Sequence, residues 1–495
     1  MLKKVRSTAP AQTRVALKGI CRTVLALSLV ASFGPLQAAD LSYLQGLLDA
    51  TPAGGWALAS TNRYADAWAK GAAALPDATY GNAGSIVQAW SSFAWDSNAG
   101  NLLLWGGGHA NYFGNEMYQW NGVDGAWSRG SLSSRVESLG GAASYLVVDD
   151  AAPQSAHTYG GNLYLPTNNM FMTFGGAVYN TGTGFKVRDG NGDLVNAGPW
   201  MWDPTKADPN KVGGTNGSGY DPTSVGGQMW LNRQGQASGT QGAGYVNNTT
   251  AVRQEGGQDV VYVTVEAESS GYPALYRYAV GDVRNGGMDA WSRVGESLNA
   301  PSAQGAAVID SRNSLYVHTA SFSAIGFTAD LGVWELSKNN PSNSSKNNDI
   351  SVELLFADGT GFDMTEDFGM AFDERSGKML LWDGKHAGAL FETEAAFNAD
   401  GSVASTWLVK SLTSTTSAQP SGTFLTGVLG KWKYIPELGA FIALNEFDAA
   451  SEDAQVWLYK PFAAAVPEPG TCALLLAGLG AVGFVRRRAR PHKNA

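Results

Sequence analysis

The sequence predicts an all-β fold of repeated four-stranded antiparallel units, and three observations carry that prediction. The first is composition: 62 Gly and 16 Trp in 495 residues, with only 16% charged residues. This is the profile of short strands joined by tight turns rather than of helical bundles. Aromatics at 11%, spread along the chain, argue against disorder. The second is pattern: short apolar runs alternate with Asn-Gly, Ser-Asn and Gly-Gly signals, as in antiparallel meanders. The third is an internal repeat. Phe93–Trp120 reads FAWDSNAGNLLLWGGGHANYFGNEMYQW, and Met370–Ala387 reads MAFDERSGKMLLWDGKHA, aligned without a gap at an offset of 277. Asp96 falls on Asp373, Gly100 on Gly377, Trp105 on Trp382, Gly107 on Gly384 and His109 on His386. Such a repeat means a repeated structural unit.

Taken in order, the first unit is this stretch, with Met117–Asn121 as third strand and Ala126–Gly130 as fourth. The second begins near Ala142 and carries Met170–Gly176 and Pro199–Pro204. The third has Val260–Ala267 and Ala290–Gly295, and the fourth has Leu315–Ala320 followed by GVWELS and SVELLFA. The fifth is the copy at Met370, followed by Ser405–Ser411, and the sixth ends in Gln455–Pro461. Four-stranded units around a ring describe a β-propeller, which leaves few sheet edges exposed. The expectation is six blades, or seven if residues 142–240 hold an extra one rather than an insertion. The sixth unit runs out of chain after three strands, while Gly55–Ser60 is an orphan strand bearing Trp56. The N-terminal strand is therefore expected to close the ring.

Gly-Gly after the second strand and Trp in the fourth resemble kelch-type blades, as in the central domain of galactose-oxidase-like proteins. Only the first two units show a clean Gly-Gly, and the fifth has Asp383-Gly384. The resemblance implies a class that includes copper radical oxidases, whose cofactor needs a Tyr cross-linked to a Cys. The only cysteines are Cys21 and Cys472, both in the terminal segments. Neither that cofactor, a structural disulfide nor a cysteine nucleophile can form in the body.

The ends differ from the body. Residues 1–39 carry six basic residues and no acidic one, then the apolar run Thr23–Leu36 and small residues for cleavage, which reads as a secretory signal peptide. The propeller then spans 40–462. At 463–495 come Pro467-Glu468-Pro469, the apolar run Cys472–Val485, and Arg486-Arg487-Arg488-Ala489-Arg490. Physically this is a short hydrophobic helix with a basic stop, marginal for a permanent span. Its three parts in order resemble the PEP-CTERM sorting tail of Gram-negative bacteria. The resemblance implies transient inner-membrane insertion, recognition by an exosortase, removal of the tail, and delivery to the envelope or extracellular polymer layer.

Between the ends, 23 Lys and Arg face 42 Asp and Glu. So acidic a body disfavours nucleic acid, and disfavours anionic polysaccharide without a bridging cation.

The sharpest candidates are His109 and His386, which share one repeat position and so one rim of the disc, on opposite or nearly opposite blades. His157 lies where it can join them. Around His109 stand Asn111, Tyr112, Asn115 and Glu116; around His386 stand Asp383 and Lys385. Neutral imidazole can act as base, ligand or sugar hydrogen-bonding group. A polar, aromatic-bearing cluster suits a glycan, whose rings stack on aromatics while hydroxyls pair with amides and carboxylates. It equally suits lyase or hydrolase chemistry on polysaccharide. The readings are therefore a glycan or envelope-protein binder, a polysaccharide enzyme, or a passive matrix component. No resident cofactor is expected. Asp189, Asn191 and Asp193 begin like a Ca²⁺ loop, but the twelfth position is Trp200, so a hairpin tip is the simpler reading.

Overall fold

A computed structural model of the chain divides into two compact units, 1–37 and 38–495. It describes residues 39–462, apart from 72–73, 76–80, 110, 139–144, 148–150, 179–183, 216–225, 240–244, 266–273, 297–303, 320–328, 339–348, 366, 387 and 421–422. The expected signal peptide, save Ala39, and the whole C-terminal tail lie outside the described residues.

Helix α1 (Ser42–Ala50) buries Leu44 and Leu48, and β1 (Gly55–Leu58) follows. The one-turn helix α2 (Ser85–Gln88) leads into a first sheet, β2 (Phe93–Asp96), β3 (Asn101–Leu104), β4 (Tyr118–Asn121) and β5 (Ala126–Arg129), paired in that order. A separate hairpin, β6 (Val136–Ser138) and β7 (Tyr145–Val147), comes next. The second sheet is β8 (Asn162–Leu165), β9 (Met170–Thr173), β12 (Trp200–Trp202) and β13 (Trp230–Asn232). The hairpin β10 (Lys186–Arg188) and β11 (Leu194–Asn196) is inserted within it. In the third sheet a two-residue strand, β14 (Ala237–Ser238), lies parallel on β18 (Asp289–Glu296). The rest of that sheet is β15 (Thr250–Glu255), β16 (Gln258–Val265) and β17 (Ala274–Ala279).

An eight-stranded sheet follows, made of two antiparallel meanders. One is β19 (Ala307–Asp310), β20 (Leu315–Thr319), β21 (Leu331–Glu335) and β22 (Ile350–Leu355). The other is β23 (Gly369–Asp373), β24 (Lys378–Trp382), β25 (Leu390–Thr393) and β26 (Thr406–Leu412). They join edge to edge through the parallel pair β22–β26. The last sheet is β27 (Trp432–Ile435), β28 (Ala440–Leu444), β29 (Val456–Lys460) and, returning from the other end of the chain, β1.

The first strands pack in succession: β2 on β8, β8 on β15, β15 on β19, β19 on β23, β23 on β27. A parallel bridge from Ser92 to Gly430 brings the last back to the first. The sheets thus stand around a common axis as a propeller. β1 runs antiparallel to β29 with Trp56 opposite Tyr459. The Trp56 ring lies 5.0 Å from Tyr459, 5.6 Å from Trp432 and 5.8 Å from Trp382, in the seam between the last two sheets.

The repeat has a physical reason. Asp96 and Asp373 end a first strand and cap the turn that follows. Asp96 accepts from the Asn98 and Ala99 N–H groups at 3.0 and 2.9 Å, and Asp373 from the Arg375 N–H at 2.9 Å. Gly100 and Gly377 complete these turns at φ +75° and +80°, where a side chain is strained.

Three details of the sequence reading need correction. The second sheet begins at Asn162, not near Ala142, because Val136–Ser138 pairs with Tyr145–Val147 apart from it. The third sheet has an unforeseen first strand, β15, whose TAVRQE lacks a continuous apolar run because it is buried only at its start. Tryptophan is not confined to fourth strands: Trp202, Trp334 and Trp457 sit on third strands. An interior strand is covered on both faces and so hides a large ring as well as an outer one does.

Candidate functional site

In a ring of meanders, the connection into each first strand and the loop after each second strand lie on one face. His109 follows β3, His386 follows β24 and His157 precedes β8, so the three share that face.

Trp90, in the connection into β2, stands at its centre. Its backbone is left-handed, at φ +44°, a conformation that costs a bulky residue about 1–3 kcal/mol. Contacts from elsewhere in the ring hold it there. The Trp90 N–H donates to Thr426 Oγ1 at 3.0 Å, before β27. The Trp90 carbonyl accepts from the Thr158 and Tyr159 N–H groups at 3.0 and 2.7 Å, before β8. Its indole N–H donates to Gln304 Oε1 at 2.7 Å, before β19. Tyr159 is itself left-handed, at φ +47°, so two strained aromatic residues clamp one another.

Against the half-buried Trp90 ring lies the His157 ring, 4.7 Å away, with His109 5.7 Å beyond it. His157 is buried and His109 is exposed. Burial first, then the charge of His109, pushes His157 down to about 3, so its imidazole is neutral at ordinary pH. His157 Nε2 meets Asn111 Oδ1 at 2.8 Å; with that oxygen accepting, the ring proton sits on Nε2 and Nδ1 keeps the lone pair.

The other sequence candidates separate from this group. Asp383 accepts from the Lys385 N–H and from His386 Nδ1, both at 2.7 Å. Lys385 Nζ pairs with Asp367 at 2.9 Å, and the His386 side chain is 78% exposed. The ring order sets one sheet, β27–β28–β29–β1, between His386 and His109. Asn115 is buried, donating to the Pro153 carbonyl at 2.9 Å and accepting from the Ser134 N–H at 2.8 Å. Glu116 and Tyr112 are also buried, and Tyr112 and Tyr118 both donate to Glu116 Oε1, the latter at 2.9 Å. Asp189 uses its carboxylate to cap its own hairpin, accepting from the Asn191 and Asp193 N–H groups at 2.9 and 3.0 Å. Among the described residues no group of three His, Cys, Asp or Glu is placed to hold a metal ion.

Sequence reasoning missed Trp90, Gln304 and Thr426. Nothing in QAWSSFAWD separates Trp90 from the core Trp95 five residues on, because the distinguishing feature is a backbone angle imposed by distant loops.

Among solved structures, the fold is similar to an α-L-arabinanase of Penicillium chrysogenum complexed with arabinobiose, at 11% identity and a TM-score of 0.36, covering 73% of this chain and 90% of that one. It is also similar to an α-L-arabinofuranosidase of Fusarium graminearum in complex with an iminosugar inhibitor, at 10% identity and a TM-score of 0.34, covering 72% and 89%. A mitotic checkpoint complex structure gives 9% identity and a TM-score of 0.31, covering 75% and 88%. No curated protein matches the sequence. Among the described residues no helix is long and apolar enough to cross a membrane. Residues 465–489 match the family model of the PEP-CTERM protein-sorting motif, which marks an exported protein with a C-terminal sorting tail for exosortase-type machinery.

Proposed function

We propose that this exported protein is a six-bladed, kelch-like propeller that binds a neutral glycan on the face centred on Trp90. The blade count rests on the first strands that follow one another around the axis, the eight-stranded sheet being two blades joined at their outer edges. Gly106 and Gly107, at φ +140° and +100° after β3, fit the kelch pattern in the first blade.

The observation that carries the binding reading is the strained Trp90, held by groups from the second, fourth and last blades beside His157 and the exposed His109. Strain that the surroundings over-determine is typical of functional positions. A partly exposed indole can offer apolar surface to a sugar ring, while neutral imidazole, amide and hydroxyl groups serve the hydroxyls. The acidic body favours neutral sugars over anionic ones. A glycan array probed with the mature body and with His109→Ala tests this. Neutral oligosaccharides retained by the parent and weakened about tenfold by the substitution are expected; retention of none, or equal retention by both, contradicts it.

A further inference from the structure

Beside the first sheet is a pocket of about 150 Å³, lined among others by Trp68, Leu75, Asn82, Tyr112, Glu116 and Tyr118. A space of this size holds one small aromatic or quaternary group. It has an unusual polar atom. Both phenols donate to Glu116 Oε1, whereas Glu116 Oε2 is buried and has no hydrogen-bond partner among the described residues. A buried carboxylate oxygen left unpaired is costly, and burial raises the Glu116 carboxyl above its ordinary value; a cation that pairs with Oε2 would keep it ionised. The rest of the lining is Trp68 with Leu75, Asn82, Ser133 and small residues, and other aromatic rings stand behind it. Trp68 stacks on Phe447 at 5.9 Å, and Tyr64 packs edge-on against Tyr118 and Trp68 at 5.0 and 5.7 Å.

We propose that this pocket is a binding site for a small organic ammonium ion, separate from the glycan face. The positive head is matched by the Glu116 carboxylate and by the electron-rich faces of Trp68, Tyr112 and Tyr118, the arrangement that favours cations over neutral groups of the same shape. The surroundings agree. On the far side of Phe447 a 380 Å³ cleft carries Glu446, Asp448 and Asp453, which attract cations to this part of the surface. Among the described residues, the cation whose charge reaches Glu116 is Arg129 on β5. Its guanidinium donates instead to the Ala67 carbonyl at 2.8 Å and the Pro209 carbonyl at 2.9 and 3.1 Å. Tyr64, Tyr112 and Tyr118 are each held well above the usual phenol range, chiefly by burial, so they stay neutral donors. Gly114 belongs to the same design, because a Cβ there would lie 2.3 Å from Glu116 Oε2.

The test is calorimetric titration of the mature body with choline chloride, against sodium chloride at equal ionic strength, 3,3-dimethylbutanol as the uncharged isostere, and glucose. Saturable choline binding is expected, at least tenfold tighter than the isostere and unaffected by added glucose. Glu116→Gln should weaken it at least tenfold, and His109→Ala should leave it unchanged. Should Glu116→Gln fail to fold, Trp68→Leu removes a wall of the pocket and must weaken choline likewise. No saturable choline binding overturns the proposal, as does an isostere that binds as well or glucose that competes with choline. Equal loss in His109→Ala would also overturn it, by placing choline on the glycan face. A body that binds choline but no glycan would refute the axial reading alone.

Discussion

The Trp90 indole donates to Gln304 Oε1 at 2.7 Å, joining the connection into β2 to the connection into β19. In the ring order these are the first and fourth of the first strands, so one hydrogen bond spans the axis. The partner of Gln304 is part-buried, and deleting the acceptor leaves an N–H with poor alternatives. Gln304→Leu should therefore destabilise the body by about 1–2 kcal/mol in denaturant unfolding and loosen Trp90. Unaltered stability together with unaltered Trp90 fluorescence would mean that the bond does not hold the ring.

Closure by β1 predicts a larger effect. Trp56 is buried among Trp382, Trp432 and Tyr459. Trp56→Ala should cost about 3–5 kcal/mol, and a chain begun after Ser60 should expose the edge of β29 and aggregate. The measurement is the unfolding midpoint beside that of the parent body; an equal midpoint for the truncated chain refutes the closure.

Much of this architecture was legible because local signals agreed with the global fold. The Asp–Gly turn of Asp96 and Gly100 returns at Asp373 and Gly377 for the same reason, a capped hairpin that needs a left-handed residue. The orphan strand at Trp56 could be paired from the arithmetic of an incomplete last unit. What stayed hidden depends on long-range geometry. Tyr145–Val147 reads like blade material yet pairs with Val136–Ser138 alone among the described residues. Glu116 and Tyr112, beside His109 in sequence, turn into the interior, while His157, distant in sequence, comes to its side. The site centre, Trp90, is defined by partners 68, 214 and 336 residues away, a relation that no spacing rule expresses.

His157 makes the body sensitive to acid. Its folded value of about 3 lies below the ordinary 6.5, so between those values the unfolded chain binds the proton that the folded one refuses. Its contribution is full above pH 6.5 and is lost as pH falls towards 3, by roughly 1.4 kcal/mol per unit. His318, buried and lowered to about 4, acts in the same direction down to that pH. His157→Gln should remove about one such slope and leave that of His318, as read from unfolding free energies between pH 4 and 6.5. An unchanged profile would show that His157 is charged in the folded protein.

Export and sorting predict the ends of the mature protein. The chain isolated from its host should begin near Ala39 or Asp40 and lack everything beyond Pro467-Glu468-Pro469. Intact-mass spectrometry decides the point. A mass that retains Arg486, Arg487 and Arg488 would contradict processing of the matched segment.

The central claim, a glycan face organised by Trp90, is tested most directly by calorimetric titration of a neutral oligosaccharide into the parent and Trp90→Gly. Glycine is at ease at φ +44°, so this substitution relieves about 1–3 kcal/mol of backbone strain while it removes the ring and its bond to Gln304, and the two effects nearly cancel. Saturable binding to the parent is expected, with a loss of at least tenfold in Trp90→Gly and a cooperative unfolding transition within about 2 kcal/mol of the parent, because the relieved strain offsets the lost bond to Gln304. Equal affinity in the two proteins would contradict it.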